Sequence, residues 1–167
     1  MECGCMKDSE NIYLRCRKDA AKYNERLKSR ENAAELLGVS VSSLANYELG
    51  VTKVIPPDVI IMMADLYNAP QLKTIYCANE CPIGKGAPIA TEVKSIEQVT
   101  IKLLKSLSPE KIDEIKEQLV DIAEDGVIGD DEKPDLAQIV EYLDYLIKAA
   151  GELKLISQKV LGKGRGE

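Results

Sequence analysis

The 22 residues from Ser29 to Gly50 constrain this chain more than any other part of it. They hold a short amphipathic run, a glycine turn at Gly38 and a second short run, the outline of a tight helical hairpin. Ala34 stands where two such helices would cross and only a small side chain fits. Gly38 follows four residues later, where the turn needs a left-handed backbone that a Cβ would penalise. Val39, Leu44 and Tyr47 supply the apolar positions that close the second run onto the first, and Ser40 is placed to cap the second run. The pattern predicts one helix over Arg30 to Leu37 and another over Val41 to Leu49.

Several segments carry a resemblance. Ala34-Glu35-Leu36-Leu37-Gly38-Val39-Ser40 and Leu44-Ala45-Asn46-Tyr47-Glu48-Leu49-Gly50, with Pro57-Asp58, Ala64-Asp65-Leu66-Tyr67 and Tyr76-Cys77 downstream, resemble the phage-repressor-type (Xre or Cro type) helix-turn-helix family, in particular its clostridial mobile-element members. The similarity runs from roughly Leu14 to Gly84. The Ala-Gly-Leu skeleton alone is common to tight helical hairpins, but the Tyr-Glu-x-Gly ending and two further helices at suitable distance make the likeness more specific. It implies an all-α, five-helix domain whose third helix enters the major groove of double-stranded DNA. It also implies a packed Tyr47, a Glu48 that fixes the domain's own basic residues, and a phosphate-contacting role for Lys53.

On that reading the N-terminal and outward positions of the third helix, Ser40, Ser42, Ser43 and Asn46, face base edges. The carboxamide of Asn46 can pair bidentately with adenine, which makes it the best base reader of the four. The serines suit bases, phosphates or capping equally. Arg30 and Asn32, at the start of the second helix, are placed to hold a phosphate.

The remaining chain reads as helices and one linker. Apolar positions Leu14, Ala20, Ala21, Tyr23 and Leu27 predict a first helix over about Ile12 to Leu27. A double proline, Pro56-Pro57, starts a fourth helix running to Tyr67, and a short fifth follows near Gln71 to Cys77. The Pro- and Gly-rich stretch after Cys81 reads as a linker. Beyond it, a capping-box pattern at Ser95, a Ser108-Pro109 start and a long run from Pro134 to Val160 predict three more helices. In the last, Leu136, Ile139, Leu143, Leu146, Ala150, Leu153 and Val160 recur at heptad-like steps. That stripe fits either packing on the two preceding helices or a dimer interface. The predicted organisation is residues 1–84 as the DNA-binding domain, 85–94 as linker, 95–161 as a helical dimerisation region, and 162–167 as a disordered tail.

The net charge of -6 looks unsuited to nucleic acid until it is divided. Residues 1–90 hold 11 basic and 11 acidic side chains and residues 91–167 hold 11 and 17, so all the excess acid lies in the second half. Within the first half Arg15, Arg17, Lys18, Lys22, Arg26, Lys28 and Arg30 form a local basic stripe. The complete absence of histidine removes most acid–base and triad arrangements, and an enzyme is not expected. No apolar run is long enough for a bilayer and no signal-like leader is present, so a cytoplasmic protein without membrane attachment is expected. Five cysteines there read as buried or idle thiols, with one alternative. Cys77 and Cys81 could meet Cys16 or the pair Cys3 and Cys5 as a zinc site or oxidant sensor. The main expectation is a dimeric repressor of transcription without cofactor. Its alternatives are a protein-interaction adaptor that keeps the shape without binding DNA, and a thiol- or metal-sensing regulator.

Overall fold

The computed structural model describes residues 11–124 and 126–162, and among them all regular structure is helical. The cysteine pair Cys3 and Cys5 and residues 163–167 lie outside the described residues. The first helix, α1, spans Ile12–Ala20 and is capped by Asn11, whose side chain accepts from the Tyr13 amide. It is shorter than its apolar pattern predicts. A turn follows, and Asn24 accepts from the Arg26 amide to start a separate one-turn 3₁₀ helix over Glu25–Lys28. The break has a clear cause in packing: it lets Leu27 become fully buried while its carbonyl accepts from Arg17 at 2.8 Å.

The helices α2 (Arg30–Leu36), α3 (Val41–Glu48), α4 (Pro57–Leu66) and α5 (Gln71–Asn79) complete the N-terminal half. Ser29 caps α2 and Ser40 caps α3. At the end of α2, Gly38 adopts φ +64° and the Val39 amide reaches back to the Ala34 carbonyl at 3.0 Å, the Schellman arrangement that turns the chain sharply. Ala33, Ala34, Leu37, Leu44, Ile60, Met63 and Leu72 are almost completely buried in one aliphatic core. Ala34 is buried, as its small size allows. The Tyr13 hydroxyl donates to Glu80 at 2.6 Å and ties the start of α1 to the end of α5.

The C-terminal half holds α6 (Ile96–Ser106), α7 (Pro109–Ala123) and α8 (Lys133–Leu161). Ser95 and Gln98 form a reciprocal capping box at the start of α6, and Ser108 caps α7 with Pro109 in its first turn. Ile115 and Ile122 of α7 pack with Ile139 of α8, beside Leu136 and Tyr142. Within the predicted linker, Ala90 is buried and lies against Gly151 of α8, and Lys94 pairs with Glu152. Asn68, just after α4, donates to the Lys159 carbonyl at 3.2 Å, so the end of α8 touches the N-terminal half.

The α8 stripe divides. Leu136, Ile139 and Leu146 turn toward the neighbouring helices together with Tyr142, Ala149, Glu152 and Leu155, while Leu143, Ala150, Leu153 and Val160 are exposed. A straight helix drifts by about 20° per heptad against a seven-residue repeat, so one stripe cannot follow the same neighbours over 29 residues.

Candidate nucleic-acid interface

The placement of α3 follows from what it buries. Leu44 and Glu48 are fully covered, which turns Ser42, Asn46 and Leu49, spaced one helical turn apart, toward solvent. A buried carboxylate needs partners, and Glu48 has two. Arg17 donates to it with Nε and, at 3.1 Å, with Nη2, and Arg30 donates Nε at 2.9 Å. One acidic side chain of α3 is thereby held by α1 and α2 together, which fixes how far α3 projects.

Each residue expected to meet DNA has a definite position. The Ser40 hydroxyl accepts from the Ser43 amide at 3.0 Å and lies 2.9 Å from the Ser42 hydroxyl and 2.8 Å from that of Ser43. Ser40 and Ser42 are exposed and Ser43 is half-buried. Asn46 is exposed on the helix flank, and its carbonyl accepts the Val51 amide at 2.9 Å, closing the turn after α3. Lys53 is exposed in the loop beyond. Asn32 is exposed, but its amide is occupied by the Ser29 hydroxyl at 3.3 Å. Arg30, by contrast, spends its Nε on Glu48.

The basic stripe read from the sequence is largely consumed within the fold. Arg17 is buried, Lys22 pairs with Asp19 at 2.7 Å, Lys28 with Glu25 at 2.6 Å and Arg26 with Glu35 at 3.4 Å. The last three are exposed pairs that a phosphate could displace at small cost. The sequence pattern places Arg17 in the basic stripe because nothing local sets it apart from Arg15 and Lys18, even where Glu48 is expected to hold some of the domain's basic residues. Sequence reasoning also missed an apolar edge, Leu49, Val51 and Val54, exposed beside Lys53.

Cys16 is buried, and Cys77 and Cys81 are half-buried free thiols. The Cys16 sulfur accepts from Gln71 at the start of α5, whereas Cys77 sits in its last turns and Cys81 beyond it. Among the described residues no three cysteine, aspartate or glutamate side chains are grouped closely enough to hold a metal ion.

A helix-turn-helix family model matches residues 20–70. The chain carries a helix-turn-helix domain. This domain resembles the phage-repressor-type regulators, a DNA-binding class, and the matched segment runs from the end of α1 through α4, under a third of the chain. No curated protein and no solved structure matches the chain significantly. None of the described helices is long and apolar enough to cross a membrane.

Proposed function

We propose that the protein is a sequence-specific, double-stranded DNA-binding regulator of transcription, a cytoplasmic repressor that acts as a dimer. Residues 1–84 form the DNA-binding domain, 85–94 connect it to the C-terminal helices, and 95–161 bring two copies together. The observation that carries this reading is the helix-turn-helix geometry with the Ser42 and Asn46 flank of α3 held outward by the Arg17–Glu48–Arg30 cluster. Asn46 reads a base edge, Ser42 and Ser43 support it, Ser40 caps the helix that carries it, and Lys53, Asn32 and the outer nitrogens of Arg30 contact phosphates. Val51 and Val54 offer apolar surface suited to thymine methyl groups or sugars.

Titration of fluorescent genomic fragments, beginning with the DNA upstream of the protein's own gene, tests the reading. Affinity falls steeply with salt as counterions are displaced. Replacing Asn46 by Ala weakens specific binding by about 1–3 kcal/mol while leaving non-specific binding nearly unchanged. Equal affinity of wild type and variant for the selected fragment counts against α3 as the reading helix. The internal pairing of Arg17 and Arg30 favours a second reading, an adaptor that has lost DNA binding. Absent or sequence-indifferent binding with a tight protein partner would select it.

A further inference from the structure

The exposed side of α8 carries a second seam that internal packing does not use. Val140, Leu143, Ile147 and Ala150 are all exposed, with Val140 at 49% and Ile147 at 55%, and they recur at alternating three- and four-residue steps. The same steps continue through Lys154 and Ser157 to Leu161, also exposed. This is the spacing of an a/d face, and among the described residues no element covers its Val140 to Lys154 part, whereas Ser157 and Leu161 border a cleft with Ala64 and Asn68. Its neighbours carry a charge gradient. Residues 133–146 hold Lys133 against Asp135, Glu141 and Asp144, whereas residues 147–161 hold Lys148, Lys154 and Lys159 against Glu152 alone. Glu152 is buried and already held by Lys94 and Lys102, and Lys159 is half-buried beside Cys16 and Asn68, so the exposed charges of the second half are Lys148 and Lys154, both basic.

We infer that this seam is the contact with a second copy of the chain, and that the two α8 helices pair antiparallel about an axis near Ile147. The inference rests on the dimeric regulator reading and specifies its interface. Ile147 is the midpoint of Lys133–Leu161 and of the exposed stretch from Val140 to Lys154, so the antiparallel arrangement lays that stretch of one helix along the same stretch of the other. It sets the acidic half of one helix along the basic half of the other, with Lys154 level with Val140 and Glu141 of the second copy. A parallel arrangement would stack Lys154 on Lys154 and Asp144 on Asp144, and like charges in contact disfavour it.

Light scattering of the full chain tests the inference. The wild type is expected at twice 18.4 kDa and Ile147→Lys at the monomer mass. Ile147 is exposed in the single chain, so the variant keeps its helical circular dichroism. A monomeric wild type, or a dimeric Ile147→Lys, overturns the seam. Orientation is read by oxidation with peptide mapping. Ile147→Cys crosslinks to itself, Val140→Cys does not, and an equimolar mixture of Val140→Cys and Lys154→Cys crosslinks between the two. Efficient self-crosslinking of Val140→Cys overturns the antiparallel arrangement. Should a folded single variant be lost, Glu141→Lys and Lys154→Glu decide: each alone weakens the dimer and the two together restore it, and no restoration overturns the pairing. Loss of DNA binding in a wild type that dimerises through this seam would overturn the regulator reading alone.

Discussion

Arg17 of α1 and Glu48 of α3, separated by 31 residues in sequence, form a buried ion pair that joins the two helices, beside the bond from the α1 cap Asn11 to the Tyr47 carbonyl at 3.1 Å. Removing one partner leaves the other charged and away from water. Glu48→Ala is therefore expected to destabilise the N-terminal half by about 3–5 kcal/mol in urea titration. Replacing both residues, as Arg17→Met with Glu48→Leu, costs much less because no charge is stranded. Equal losses in the single and double variants would show that the pair acts by shape and not by charge.

A Cβ on Gly84 would lie 2.1 Å from the Cys77 carbonyl oxygen, so the turn after α5 sits on that helix with no room for a side chain. Gly84→Ala has to move backbone, and a loss of about 1–3 kcal/mol is expected by thermal or chemical unfolding. Wild-type stability in this variant would mean the turn does not seat there.

Glu152 gives the C-terminal half an acid-sensitive contact. Burial works to raise its carboxyl pKa, but hydrogen bonds and charge from Lys94 at 2.9 Å and Lys102 at 3.1 Å outweigh it, and the net shift is downward. A lowered folded-state pKa contributes stability that is fully present above the ordinary glutamate range, about pH 4.3, and is lost as pH falls through the folded value. Unfolding free energy measured from pH 7 downward should hold level and then drop below about pH 4. Glu152→Gln should be less stable at pH 7 and show a shallower acid limb. An unchanged limb would remove Glu152 from the account.

Burial pushes the Cys16 thiol up to about 11, so it stays protonated near neutrality and poorly nucleophilic. Alkylation with iodoacetamide at pH 8, followed by peptide mapping, should label the more accessible Cys77 and Cys81 in the folded protein and Cys16 only after unfolding. Rapid labelling of Cys16 in the folded state would contradict its buried placement between α1 and α5.

Local rules made most of the helices legible. Capping serines at 40, 95 and 108, prolines at 57 and 109, and Gly38 each act on backbone within a few residues, so their effect is written where they stand. The apolar spacing on either side of Gly38 likewise announced the α2–turn–α3 hairpin. What the sequence determined by itself was therefore the eight α-helices among the described residues and their order, though not the separate 3₁₀ turn over Glu25–Lys28, and the helix that presents Ser42 and Asn46. The tertiary structure alone decided which charges meet. Arg17 and Arg15 look alike along the chain, and only the approach of α3 buries one of them against Glu48. It alone ended α1 at Ala20, because the gain lies in burying Leu27 elsewhere. It alone divided the apolar stripe of α8 into a face for α6 and α7 and a face for solvent. Local conformation depends on neighbours in sequence, whereas pairing and burial depend on neighbours in space, and the second set exists only once the helices have packed.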